Sequence, residues 1–215
     1  MSSPIVIVGC GGFGREVHDV VEAINAADTF DDRWQLLGYV DDSPTDTNSA
    51  LVVHRGSRVL GGVGWFDSAS PDTRFVIGMG TGAVRRAIDA RLTAAGFDAA
   101  VLVHPAASLG ADTRLAAGTV VCAGVRVTTN VTVGRHTHLN LNSTVGHDTT
   151  IGDYVTINPI AAISGNVTLE DEVMLGTHSA VLQGLRIGAR SIVGAGACVV
   201  KDVPADVTVK GVPAR

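Results

Sequence analysis

From Leu109 to Val199 an aliphatic residue recurs every six positions, and no other feature of the 215-residue chain restricts its fold as tightly. The series runs Leu109, Leu115, Val121, Val127, Val133, Leu139, Val145 and Ile151. It continues through Ile157, Ile163, Leu169, Leu175, Val181, Ile187, Val193 and Val199, all Leu, Val or Ile, with no insertion to shift the phase. A period of six matches neither the 3.6-residue turn of an α-helix nor the simple alternation of a strand. It fits a coil of three short strands, each sending one aliphatic residue to the axis, so that one coil takes about eighteen residues. Glycine often follows the aliphatic, at Gly110, Gly134, Gly146, Gly152, Gly176, Gly188 and Gly194, where it is expected to supply backbone freedom for the corners. Two positions before the aliphatic a second small or branched residue is common, as at Ala107, Thr137, Thr149 and Ser179. Stacked coils bury a continuous column, and each coil needs its neighbours. A β-sandwich, whose loops vary in length, would lose the phase.

Composition agrees with this. Hydrophobic residues make up 46% but aromatics only 4%, so the apolar content suits closely stacked strands better than a bulky aromatic core. The 26 glycines are spread through apolar stretches, which argues against disorder. A net charge of −5 and the absence of a Lys/Arg run leave no footprint for nucleic acid. No apolar stretch is long enough to span a bilayer, and Met1–Val8 lacks the basic flank of a signal peptide. Cys10, Cys122 and Cys198 have neither metal-site nor redox-motif spacing. The expectation is a soluble cytoplasmic protein without a metal.

The first half reads differently. The β-branched run at residues 4–8 is followed by Gly9-Cys10-Gly11-Gly12-Phe13-Gly14, then by an amphipathic stretch from Arg15 to Asn25 with Val17, Val20, Val21 and Ile24 on one face. Strand, glycine loop and helix in that order form a dinucleotide-type fingerprint. Its glycines let phosphate oxygens approach a helix N-terminus, where N–H groups and the dipole favour anions. A second strand, Leu36 to Val40, ends at Asp41-Asp42, placed to accept hydrogen bonds from a ribose or a base. A third run, Arg74 to Ile77, leads through Gly78-Met79-Gly80-Thr81-Gly82 into a helical stretch reaching Leu92, and Val101-Leu102-Val103 feeds the repeat through His104-Pro105. The half is too short for a full six-stranded dinucleotide fold. Backbone amides at Gly11, Gly12, Phe13 and Gly14 are the expected phosphate site. Arg85 and Arg86 are either further phosphate partners or a solvated helix face. No nicotinamide-side catalytic pair accompanies the loop, so a nucleotide-linked small molecule is expected rather than NAD.

Taken in order, GCGGFGREV, YVDD, VHP, GHD and the closing VGAGACVVKDVPADVTVKGVPAR resemble the sialic acid O-acetyltransferase/nucleotide-sugar N-acetyltransferase family along almost the whole chain. The resemblance implies an α/β Rossmann-like nucleotide-binding subdomain over residues 1–103, then a left-handed parallel β-helix over residues 104–215. It implies a homotrimer with acetyl-CoA in the groove between neighbouring β-helices and a sugar nucleotide on the N-terminal domain. Acyl transfer needs a base for the attacking amine or hydroxyl and a donor for the oxyanion. Of the seven histidines, His147 matches the family's base, with Asp148 to fix its tautomer, while His136 and His138 read as structural and His178 as an open case. Gly165, one coil after His147, matches the glycine whose N–H meets the thioester carbonyl. Gly176 and Gly194 would make room for pantetheine, and Lys201 would meet a CoA phosphate, with Lys210 or Arg215 as substitutes. The chain departs from many relatives where Thr156 replaces a second histidine and Asn158-Pro159-Ile160 replaces Ser-Pro-Gly. Thr156 or Asn158 would then contact the acetyl group, or the acyl preference has changed. The expected reaction is N-acetylation of a nucleotide-linked 4-amino sugar. The alternatives are O-acetylation of a sugar hydroxyl and a non-catalytic, nucleotide-sensing trimeric scaffold.

Overall fold

Four parallel strands open the chain in the computed structural model, which describes residues 2–27 and 33–215. Strand β1 (Ser2–Val8) leads to helix α1 (Gly12–Ala26), then β2 (Arg33–Val40), α2 (Asp46–His54), β3 (Val59–Gly61) and a 3₁₀ turn at Val63–Ser68. Strand β4 (Arg74–Ile77) and helix α3 (Gly82–Ala94) follow. The sheet order is β3-β2-β1-β4, so the direction of winding reverses between β1 and β4. As the central strand, β1 is covered on both faces, and Ile5, Val6, Ile7 and Val8 are all fully buried. Phe66 sits edge-on to Phe75 and Phe97, with ring centroids 6.3 and 4.9 Å away. The few aromatics of the chain are thus concentrated where α/β layers must be filled. Helix α2 was not expected. Only Val52 of it is buried while Leu51 and Val53 are exposed, so it lacks the apolar stripe by which a helix shows in sequence.

The chain divides into two units, residues 1–102 and 103–215. In the second, two-residue strands recur every six residues and stack into three parallel sheets of seven, six and five strands. Each strand pairs with the one eighteen residues on, as Thr132 with Thr150 and Thr144 with Ala162. The last coil is shorter, since Ile192 pairs with Thr208. This is a left-handed parallel β-helix after a Rossmann-like subdomain. The aliphatic series points inward: Val121, Val133, Leu139, Val145, Ile151, Ile157, Leu169, Leu175, Ile187 and Val193 are at most 1% exposed. Between them lies a second internal column of smaller residues, Val131, Thr137, Ser143, Thr149, Val155 and Ala161, equally buried. Its threonine hydroxyls bond the next coil, Thr137 Oγ1 to the Gly152 carbonyl at 2.9 Å and Thr149 Oγ1 to the Ser164 carbonyl at 3.4 Å, whereas the buried Ser143 hydroxyl has no hydrogen-bond partner among the described residues.

One expectation about the corners is corrected. The glycines that follow the aliphatics do not adopt positive φ; that conformation falls three residues after the aliphatic, at residues such as Asn130, Asp148 and Asn166. What requires glycine at Gly134 and Gly152 is proximity. A Cβ on Gly134 would lie 2.5 Å from the backbone of Gly152, and one on Gly152 would lie 2.8 Å from the Asp171 nitrogen.

Candidate functional site

In the N-terminal unit the reversal of winding between β1 and β4 opens a crevice at the carboxyl ends of both strands, the place where open α/β sheets bind ligands. The loops after the two strands line a cavity of about 350 Å³ there, formed by Gly9, Gly11, Gly12 and Phe13 on one side and Gly78, Met79, Gly80 and Thr81 on the other. Helices α1 and α3 both start at this cavity, and neither has a side-chain N-cap. Helix α2 also brings Asn48 of its first turn to the cavity, but it is capped by Thr45, whose hydroxyl accepts from the Asn48 amide. Two helix N-termini without side-chain caps suit an anion. Among the described residues lining the cavity none is basic. A second cavity of about 500 Å³, mostly apolar, adjoins the first through Asp41, Met79 and Val84.

Gly14 stands behind the cavity: it is buried, and a Cβ there would overlap the Gly9 carbonyl. A Cβ on Gly78 would lie 2.5 Å from the Gly14 Cα, so the two loops are packed directly on each other. Asp41 and Asp42 do reach the site, but each has backbone to hold. Asp41 accepts from the Cys10 amide at 3.0 Å and thiol at 3.2 Å through one oxygen, and from the Ser43 amide through the other. Burial works against its charge, but these bonds outweigh it and leave the carboxyl below its ordinary range. Burial, then the Asp41 contact, pushes the Cys10 thiol up to about 11, so it is an inert hydrogen-bond donor. Asp42 accepts from the Val63 amide at 2.7 Å. Arg15, which the sequence reading passed over, donates to the Cys10 carbonyl and to the Asn48 side chain, both at 2.8 Å, tying the glycine loop to α2. Arg85 is not a direct phosphate partner: its side chain is fully buried. Arg86 is exposed.

In the β-helix unit, His147 lies on the corner between the strands Thr144–Val145 and Thr150–Ile151. Its imidazole is 62% exposed, and Nδ1 is 2.7 Å from Asp148 Oδ2. With the Nδ1 proton donated to that carboxylate, Nε2 keeps a lone pair for a substrate proton. Asp148 occupies the positive-φ position (φ 59°), where its N–H donates to the Thr129 carbonyl and Asn130, one coil earlier, donates to Oδ1 at 3.1 Å. The His147 ring and the Asn130 amide hold the Asp148 carboxyl below the usual carboxylate range. Asn130 was missed in the sequence, although its offset of eighteen residues from Asp148 would have found it.

Gly165 adjoins the same ring. A Cβ built on it would lie 2.5 Å from His147 Nε2, so its lack of a side chain makes room for the imidazole. Counting by eighteen, the corner carries His147, Gly165, Gln183 and Lys201, with Lys201 three coils, about 14 Å, from the histidine. Leu182 and Val200 lie beside that column and are exposed. Gly176 and Gly194 fall on a different corner, the one preceding the His147 corner in each coil, and a Cβ on Gly176 would meet the next coil at 2.5 Å. Thr156 is 4% exposed in the seven-stranded sheet. One chain therefore gathers His147, Asp148, Gly165 and Lys201, and leaves Thr156, Gly176 and Gly194 apart from them. His136 is buried and stacks on Tyr154, and His138 is buried in its strand. His178 is exposed at a positive-φ corner. No described helix is long and apolar enough to cross a membrane.

Residues 4–92 match the PglD N-terminal domain family. Over 99% of this chain and 95% of the other, the fold is that of perosamine N-acetyltransferase from Caulobacter crescentus, solved as a histidine variant with CoA and GDP-perosamine, at 28% identity and a TM-score of 0.86. The acetyltransferase domain of PglB from Neisseria gonorrhoeae, solved with acetyl coenzyme A, superposes over 100% of this chain and 99% of its own, at 27% identity and a TM-score of 0.87. WeeI from Acinetobacter baumannii does so over 100% and 99%, at 28% and 0.84. A 2,3,4,5-tetrahydropyridine-2,6-dicarboxylate N-acetyltransferase of Clostridium perfringens is 49% identical over 47 residues, a match spanning 22% of this chain and 20% of that curated relative. With its glycine-loop subdomain and unbroken hexapeptide coil, the chain is similar along its whole length to perosamine N-acetyltransferase and the PglB acetyltransferase domain, and over residues 4–92 to the PglD N-terminal domain family.

Proposed function

We propose that this protein transfers an acetyl group from acetyl-CoA to the amino group of a nucleotide-linked amino sugar of the 4-amino type, with His147 as general base. The observation that carries the reading is the His147 imidazole, held through Nδ1 by Asp148 with Nε2 beside Gly165, in a fold shared end to end with amino-sugar acetyltransferases. The amine nitrogen attacks the thioester carbonyl, its proton passes to Nε2, and the C–S bond breaks to release CoA. Asp148 orients the ring and stabilises the imidazolium, and the Gly165 N–H is the proposed donor to the carbonyl oxygen. The diphosphate of the sugar nucleotide lies on the amides of Gly11, Gly12 and Phe13, with Asp41 and Asp42 turned to ribose or base. Gly14 acts by letting that loop pack closely.

Acetyl-CoA runs along the His147 corner past Leu182 and Val200, its phosphates reaching Lys201. In a homotrimer, Gly176 and Gly194 of a neighbouring copy would complete its groove. Thr156, being buried, acts on the acyl site through packing. A cytoplasmic setting, where acetyl-CoA is made available, fits a chain whose three cysteines form no disulfide with one another among the described residues. The test is thiol release from acetyl-CoA with a panel of 4-amino-sugar nucleotides and their hydroxy counterparts. Turnover is expected with an amino sugar only; turnover with the hydroxy sugars alone would replace N- by O-acetylation, and none with either would leave the scaffold reading.

A further inference from the structure

The N-terminal unit buries the Arg85 guanidinium directly under the loop of residues 78–81. Arg85, in the first turn of α3, is 0% exposed, and its NH1 donates to the carbonyls of Met79 at 2.9 Å and Gly80 at 2.8 Å. Both residues line the 350 Å³ cavity. In a trans peptide the C=O and N–H of one unit point in opposite directions. Holding these two carbonyls toward the guanidinium therefore turns the N–H groups of their peptide units, those of Gly80 and Thr81, the other way. Carbonyl oxygens facing the cavity would repel an anion; the contact removes them. Because Gly78 packs on Gly14 and a Cβ on Gly9 would lie 2.9 Å from Met79 Cγ, the loop that Arg85 holds also sets the position of the first glycine loop.

We infer that Arg85 is a positioning residue for diphosphate binding: it shapes the loop of residues 78–81 into the second wall of the phosphate site. This rests on the nucleotide-linked substrate proposed above. The first variant is Arg85→Met, which keeps the bulk of the chain and removes the charged fork, with Arg85→Lys as the conservative partner. Calorimetry on the full-length protein would measure binding of GDP, UDP, inorganic pyrophosphate and acetyl-CoA, with melting curves to show that each variant is folded. The expected result for Arg85→Met is a rise of at least about tenfold in Kd for whichever diphosphates wild type binds, the scale of one lost charge-assisted hydrogen bond. Acetyl-CoA affinity should stay constant, and Arg85→Lys should recover much of the loss. A folded Arg85→Met that binds diphosphates as wild type does would overturn this inference and leave the proposed function standing. Wild type that binds none of the three would overturn both. Should Arg85→Met not fold, amide NMR of wild type with pyrophosphate decides: shifts at Gly80 and Thr81 alongside Gly11–Phe13 support the second wall, and shifts confined to the first loop refute it.

Discussion

The two units solve the same stereochemical problem in opposite ways. In the N-terminal unit every described residue with positive φ is a glycine: Gly9, Gly38, Gly56, Gly61 and Gly96. In the β-helix unit the same conformation recurs every six residues, and beside glycines such as Gly118, Gly124, Gly184 and Gly196 it is adopted by twelve non-glycine residues, among them Asp148, Tyr154, Ile160 and Glu172. A non-glycine residue there costs about 1–2 kcal/mol. The β-helix offsets that cost with a repeating bond: the N–H of the positive-φ residue donates to the carbonyl nineteen residues earlier. Asn130 reaches Ala111, Asp148 reaches Thr129 and Ile160 reaches Leu141, at 3.0 to 3.2 Å. An isolated turn has no stacked neighbour to supply that acceptor and must use glycine. The repeat therefore frees the corner for polar side chains, and Asp148, bonded to the His147 ring, occupies one such position.

The largest test of that idea is His147→Ala. With the ring 62% exposed, stability should hardly change, while kcat should fall by about 10²–10⁴, the usual contribution of general-base catalysis. Thiol-release kinetics and a melting curve on one preparation would read both. An unaltered kcat would remove His147 from the mechanism. Gly165→Ala should come next, lowering kcat by roughly tenfold or more as the new methyl displaces the ring from its position, with KM for the sugar nucleotide unchanged. Full activity in that variant would mean that the room beside Nε2 is incidental.

Stability should then separate two glycines of the β-helix. Gly152→Ala puts a methyl 2.6 Å from Asp171 Oδ1 and should cost about 1–3 kcal/mol by overpacking. Gly184→Ala has a φ of 75° but open space around it, and should cost about 1 kcal/mol. Denaturant melts giving the reverse order would show that conformation, not proximity, dictates glycine after the aliphatic. The smallest effect concerns His18, whose Nδ1 is 2.8 Å from the Tyr39 hydroxyl. Burial, the main influence, lowers the His18 pKa. The unfolded chain therefore takes up a proton first as pH falls through about 6.5, and stability contributed by neutral His18 is lost below that pH. His18→Gln should flatten this acid-side decline in the N-terminal unit's melting; an identical pH profile would contradict the assignment.

How much was legible follows from the same contrast. The hexad sequence placed every inward aliphatic from Leu115 onward in a strand at the right phase, because a strict period leaves one register for stacking. It also placed His147, Asp148, Gly165 and Lys201 on one corner by counting alone. It did not reveal α2, whose packing contributes a single buried valine, nor that Gly14 and Arg85 stand behind the cavity between the two glycine loops. Burial depends on what other elements cover, and residue type does not carry that information.

By itself, then, the sequence determined the coil, its period and the residues that share a corner, since these follow from local spacing. The tertiary structure decided which glycine serves close packing, which carboxylates hold backbone and which arginine is buried. Those distinctions arise only when separate segments meet: two loops at a reversal of strand order, and one coil resting on the next.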